Sequence, residues 1–178
     1  LNETMHLLGP SAHDKQLELS LQVDAAVPDY LTGDPMRLQQ VLTNLAGNAI
    51  KFTEQGEVSI SATLAGDTLP APVLHLVIAD TGVGIAADKL PRLFTPFYRA
   101  HSPEQYPGSG LGLNTARILC QMMGGDIGVN SEPGRGTRLE IRLPLTLAAP
   151  GLPLVMATPV DPPREPGPRL QILVVDDN

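Results

Sequence analysis

The chain has 178 residues, 42% of them apolar, and a net charge of −7 from 12 Lys and Arg against 19 Asp and Glu. That length holds one core plus flanking segments, and the acidic balance excludes a general binder of nucleic acid or of anionic membrane surfaces. A lone Cys120 excludes an internal disulfide, and no Cys/His spacing suits zinc.

In chain order, Leu17, Leu19, Leu21 and Val23 alternate with polar residues, which predicts a half-buried strand. Asp34-Pro35 supplies a helix cap followed by a proline at the first helical position. The helix it opens is expected to run to about Phe52. At 100° per residue, Leu38, Val41, Leu42, Leu45 and Ala49 form its core stripe, while Gln40, Asn44, Asn48 and Lys51 share a neighbouring arc. An Asn amide offers a neutral hard oxygen suited to Mg²⁺ already partnered by phosphates, and Lys51 can neutralise phosphate charge. A solvated helix flank accounts for that arc equally well.

Val58, Ile60, Ala62 and Leu64 alternate next, and Val73 to Asp80 reads as a second strand antiparallel to them. In "DTGVGI" the strand delivers Asp80 to the sheet edge, while Gly82 and Gly84 permit close backbone approach. A carboxylate there can accept from an exocyclic amine such as adenine N6 and would repel guanine's carbonyl oxygen; a plain tight turn with an Asx cap is the other reading. Residues 86–94 predict a short helix and 95–109, rich in Pro, Gly and Ser, a long loop.

Gly108, Gly110 and Gly112 lead into a helix over about 111–123, whose unpaired N–H groups can cradle phosphates without a lysine. The chain contains neither a P-loop nor a dinucleotide fingerprint. Residues 127–131 and 138–143 predict a hairpin across "EPGRG". Strands and helices mix without strict alternation, which predicts an α+β two-layer sandwich, a mixed sheet covered on one face by helices. Beyond residue 145 the composition becomes that of a Pro-rich linker, 146–168, whose prolines break the uncharged run at 143–160 too often for a membrane span. The chain closes on "LQILVVDDN".

The three motifs, in this order, resemble the ATP-binding catalytic domain of sensor histidine kinases, within the superfamily that includes DNA gyrase, Hsp90 and MutL. Asn44 to Thr53 resembles the N box, Asp80 to Ile85 the G1 box, "LFTPFYRA" (Leu93 to Ala100) the F box and Gly108 to Leu113 the G2 box; "EPGRGT" resembles the closing hairpin, with Thr137 near the base. The likeness covers residues 1–145. It implies a Bergerat fold, ATP under a lid, and Mg²⁺ held through Asn48. It also implies catalytic roles for Asn44, Asn48 and Lys51. Nucleotide contacts are implied for these three and for Asp80, Gly82, Gly84, Ile85, Phe97, Arg99, Gly108, Ser109, Gly110, Leu111, Gly112, Leu113 and Thr137. Asn44 stands where water-splitting members carry a Glu, so the resemblance implies transfer rather than hydrolysis.

"ILVVDDN" resembles the first strand of a receiver domain, with Asp176 and Asp177 at its acidic positions, so residues 169–178 are expected to open a truncated receiver of a hybrid kinase. The implied partners are the histidine-bearing dimerisation domain and the receiver domain of the same protein, and another sensor kinase, with no nucleic acid. The implied location is cytoplasmic, in a parent anchored in the inner membrane. His6, His13, His75 and His101 are expected to be surface or strand residues without the helical surroundings of a phosphoacceptor. The lid departs from the family pattern: Glu104, Gln105 and Pro107 flank Tyr106 where a cation is common, Thr95 replaces an acid, and Arg99 is the substitute phosphate contact. A degenerate module that regulates a partner kinase by docking is the alternative this departure leaves open. Phe94 and Phe97 are expected to anchor the lid in the core, and Ile118, Cys120, Met122 and Met123 to pack their helix. Arg37 and Gln40 are candidates for a phosphate contact or a domain interface.

Overall fold

A computed structural model describes residues 1–28, 31–65, 72–102, 104–144 and 146–147, all within the compact unit Leu1–Ala148. The linker from 148 onward and the receiver-like strand at 169–178 lie outside the described residues.

Five strands form one mixed sheet. Strand β1 (Glu18–Val23) lies at one edge beside β3 (Glu57–Ala65), followed by β4 (Val73–Asp80), β6 (Gly136–Pro144) and β5 (Asp126–Glu132). β1 runs parallel to β3, and every other neighbouring pair in this sheet is antiparallel. The register aligns Ile60 with Ile78 and Ile78 with Leu139, so the alternate residues of successive strands build one apolar face. Helices α1 (Asn2–Asp14), α2 (Pro35–Phe52) and α3 (Gly112–Met122) share one buried cluster with that face. The α+β sandwich expected from the sequence is the architecture observed.

The central helix α2 follows its sequence signals closely. Asp34 Oδ1 accepts from Arg37 N at 3.0 Å, and Val41, Leu42, Leu45 and Ala49 are buried as the stripe requires. Its far end is held from outside: Lys15 Nζ donates to the carbonyls of Ile50 and Lys51, each at 2.8 Å, and of Thr53 at 3.2 Å. Thr53 Oγ1 donates to Ala49 O at 2.7 Å. Terminal carbonyls that the helix cannot pair internally are thus satisfied by a cation at the negative end of the helix dipole.

Several expectations need correction. Helix α1 carries Gly9 and Pro10 and buries only Thr4, Leu8 and Ala12, a stripe too thin and too polar to show periodicity. His6 and His13 lie on this helix, so their surroundings are helical after all. At 86–94 only a single 3₁₀ turn forms, Leu90–Arg92; Pro91 removes a backbone donor and biases its predecessor away from the α region. A two-residue pair, β2 (Leu31–Thr32) with β7 (Thr146–Leu147), extends two residues past the boundary expected at 145. Cys120 is buried as expected, but Ile118 and Met122 are about half exposed. Phe97, expected in the core, is 71% exposed. Among the described residues no helix is long and apolar enough to cross a membrane.

The Lys15 clamp makes a direct prediction. Lys15→Met keeps the aliphatic stem and removes the charge, so it should cost about 1 kcal/mol of stability. A shift in the urea midpoint at constant m-value measures it, and an unchanged midpoint would mean the clamp contributes nothing.

Candidate functional site

The end of β4, the C-terminal half of α2, the N-terminus of α3 and the 98–110 loop enclose one cleft of about 260 Å³. Asn48, Asp80 and Gly110 all line it, as do Lys51, Gly84, Ile85 and Thr137. Arg99, Gly108, Ser109, Gly112 and Leu113 complete the sequence-predicted residues on its wall. Asn44, Gly82, Phe97 and Leu111 are not on it: Asn44 sits half-buried one turn earlier on α2, and Gly82 acts through the backbone of the β4 loop. Arg37 pairs with Asp34 at 3.1 Å, and neither Arg37 nor Gln40 lines the cleft.

At one end, Asp80 is held rather than free. Its Oδ1 accepts from Gly82 N at 2.9 Å and from Thr137 N at 3.1 Å. Among the described residues no protein donor reaches Oδ2. Burial pushes the carboxyl above the usual range, and the two backbone donors only partly offset it. The loop beyond can close because Gly84 takes φ +64, and a methyl group there would collide with the Glu132 carbonyl oxygen.

The other end is cationic. Lys51 and Arg99 both line it, and the Lys51 ammonium is held below its ordinary range by burial first, then by Arg99 and Lys15. A methyl group on Gly108 would fall 2.9 Å from Lys51 Nζ, and one on Gly112 3.6 Å from the Asn48 amide nitrogen. The glycine-rich segment therefore lies directly against the polar arc of α2. That arc forms part of the cleft wall at Asn48 and Lys51.

Sequence reasoning missed an aromatic cluster at this end. Phe52 packs against His101 and Tyr106, each with ring centroids 5.0 Å away, and both line the cleft with it. His101, expected at the surface, is held below the usual imidazole range by burial and then by Lys89 and Lys51. Tyr106 is 6% exposed and its hydroxyl donates to Glu54 Oε1 at 3.2 Å. Arg99 donates to the Tyr106 carbonyl oxygen, and Lys89 Nζ to Ala100 O at 2.7 Å. The one sequence signal for this closure was an aromatic residue amid a Gly/Pro-rich loop. Phe97 N donates to Gly110 O at 3.1 Å with φ +62, a geometry that turns its ring outward.

A cleft with a fixed acceptor at one end and two cations beside a helix N-terminus at the other suits a ligand with a donor head and an anionic tail.

A family model described as histidine kinase-, DNA gyrase B-, and HSP90-like ATPase matches residues 33–147. The sensor protein GacS of Pseudomonas syringae pv. syringae is 43% identical over 150 residues, which are 83% of this chain and 16% of GacS. The sensor histidine kinase RcsC of Escherichia coli (strain K12) is 46% identical over 133 residues, 74% of this chain and 14% of RcsC. The chain thus spans a small part of the curated relatives it matches. Among solved structures, full-length ShkA in complex with AMPPNP superposes with a TM-score of 0.72 at 36% identity, over 83% of this chain and 30% of that one. The mycobacterial sensor histidine kinase MprB gives 0.64 at 26% identity, over 83% of this chain and 95% of that one.

Proposed function

The chain belongs to the family of histidine kinase-, DNA gyrase B-, and HSP90-like ATPases, and from that premise we propose that its cleft binds ATP with Mg²⁺ as the catalytic module of a hybrid sensor histidine kinase. The γ-phosphoryl passes to a histidine on a separate dimerisation domain of the same protein. The observation that carries this reading is the polarity of the cleft, with Asp80 at one end and Lys51, Arg99 and the α3 N-terminus at the other. Adenine's exocyclic amine meets Asp80 Oδ2, and the phosphates lie between Lys51 and the Gly108–Gly112 segment. The AMPPNP bound in the ShkA structure, a triphosphate analogue, supports the same ligand class.

Among the described residues no three His, Cys, Asp or Glu side chains cluster as a metal site. The donor set therefore fits a cation delivered by the polyphosphate, to which Asn48 adds one neutral oxygen. Bound there, Mg²⁺ would neutralise phosphate charge, the usual contribution of a metal to phosphoryl transfer. Asn48 and Lys51 position the phosphates. Asn44, an amide one turn before Asn48, cannot take a proton from water. The run at 169–178 opens a receiver domain that accepts the phosphoryl group next, with another sensor kinase as a further partner, in a cytoplasmic module of a membrane-anchored parent.

A regulatory docking module is the second reading. It is favoured by a lid that commits an Arg99 N–H to its own backbone at Tyr106 O and has no cation flanking Tyr106 in sequence.

Asp80→Asn tests the base contact. Two backbone donors fix the inner oxygen, so an asparagine there keeps its oxygen inward and turns its amine into the cleft, replacing an acceptor by a donor. ATP affinity measured by calorimetry should fall about ten- to a hundredfold; equal affinities would remove the assignment. The carboxylate must be ionised to accept, and burial raises its pKa in the free protein. Affinity of the wild type should therefore decline as pH falls through that raised pKa, at a higher pH than an ordinary Asp would give, and Asp80→Asn should lack this limb.

Phosphoryl transfer is tested by mixing the chain with its histidine-bearing domain and γ-labelled ATP. Label should appear on that domain as an acid-labile phosphohistidine. Binding without transfer would favour the docking module.

A further inference from the structure

Behind Asp80 and Thr137 stands Ser131, buried at 8% exposure and assigned no role by the sequence motifs. Its hydroxyl oxygen makes three contacts, and their chemistry leaves no freedom. Ile85 N can only donate, and does so to Ser131 Oγ at 2.8 Å. Gly136 O can only accept, and Ser131 Oγ donates to it at 2.8 Å. The third contact, Thr137 Oγ1 at 3.0 Å, is between two hydroxyls, either of which could donate in isolation. A serine hydroxyl has one hydrogen and two lone pairs. Its hydrogen goes to Gly136 and one lone pair to Ile85, so the remaining lone pair must receive the hydrogen of Thr137.

The consequence lies on the cleft side. With its single hydrogen turned back toward Ser131, the half-buried Thr137 presents only lone pairs to the cleft it lines. Its own backbone N–H meanwhile holds Asp80 Oδ1 at 3.1 Å, and both residues, paired across the ladder, line the same cleft. The pair therefore offers the cleft two acceptor groups. At the purine six-position an exocyclic amine supplies hydrogens to that pair, whereas a carbonyl oxygen there sets lone pairs against lone pairs.

We propose that Ser131 is a specificity-determining positioning residue: by drawing the Thr137 hydroxyl hydrogen away from the cleft, it makes the Asp80–Thr137 edge select an amino-purine over an oxo-purine nucleotide. The inference rests on the reading of the cleft as an ATP site and adds to it a residue that touches no nucleotide. Ser131 acts through the state of another side chain, so its removal changes selectivity and not merely affinity. Without it, the Thr137 hydroxyl can rotate and donate to a carbonyl oxygen.

The test compares Mg²⁺-dependent binding of ATP and inosine triphosphate, which carries a carbonyl in place of the amine, by calorimetry. Wild type should prefer ATP by about tenfold or more. Ser131→Ala should narrow that preference about three- to tenfold. Ser131→Thr, which retains the hydroxyl, should keep it. The Ile85 N–H left unpaired in Ser131→Ala weakens both nucleotides alike, so it does not move the ratio. Thr137→Val should narrow the preference similarly, and adding Ser131→Ala to it should change the ratio no further. Ser131→Cys, close in volume and a weak hydrogen-bonding group, should shift it in the same direction should the alanine variant melt before it can be titrated. A wild type that binds neither nucleotide, or both equally, would refute the ATP reading itself. A selective wild type whose ratio is unmoved by Ser131→Ala or Ser131→Cys, or whose ratio still moves in the Thr137→Val background, would overturn this inference alone.

Discussion

Two backbone N–H groups on one carboxylate oxygen organise this molecule's cleft. Asp80 is the last residue of β4, and the ladder pairs it with Thr137 at the start of β6, so a single side chain touches the strand end, the loop that leaves it and the neighbouring hairpin. Gly136 permits that approach: at φ +94 its backbone runs so close to the Asp80 carbonyl oxygen that any Cβ would collide with it. The geometry fixes Oδ1 and leaves Oδ2 as the outward acceptor. Burial opposes the charge while the two donors support it, and burial wins. A half-buried acceptor that faces the cleft is open to a ligand donor and selective for one.

The opposite end is organised by repulsion. Lys51 and Arg99 line the cleft together, and Lys15, tied to the last carbonyls of α2, adds a third positive charge close enough to lower the Lys51 pKa. The fold does not disperse these cations. It spends Lys15 on the helix end and Arg99 on the Tyr106 carbonyl, which leaves the Lys51 ammonium against its neighbour Phe52, 4.8 Å from the ring centroid. Arg99 gives that carbonyl one of five N–H donors, so an anion held by the remaining donors would be tied to the loop through the same guanidinium. The Phe52–His101–Tyr106 cluster and the Tyr106–Glu54 hydrogen bond hold the same loop to the end of α2 by separate contacts.

Strong local signals were legible in the sequence where one element determined them. Asp34-Pro35 fixed the start of α2, alternation fixed β3, β4 and the β5–β6 hairpin, and the polar arc of α2 located Asn48 and Lys51 on a cleft wall. What escaped was set by tertiary partners. Helix α1 forms across Gly9 and Pro10 because Leu8 and Ala12 are buried in the shared core, a gain invisible in a thirteen-residue window. The parallel pairing of β1 with β3 is a long-range choice with no residue-level mark. His101 could not be distinguished from a surface histidine, since its burial comes from Phe52 and Tyr106, distant in sequence or placed by a loop without period. Ser131 was illegible for a different reason: its role depends on a proton count, and only contact distances supply one.

The same inventory bears on what the cleft can do with a bound triphosphate. Hydrolysis needs a base beside the phosphates to orient or deprotonate water. Among the described residues Asp80 is the only carboxylate lining the cleft, and it stands at the end opposite Lys51 and Arg99. The nearest candidate at the cationic end is His101, its pKa lowered by burial and then by two lysines, but its ring is packed against Phe52 and Tyr106. A base held in an aromatic stack is poorly free to follow a water molecule. On the proposed reading the cleft therefore concentrates positive charge and orientation on the phosphates while withholding a mobile proton acceptor. Such a site favours a nucleophile that brings its own lone pair, as a neutral imidazole from another domain does, over water that must first lose a proton.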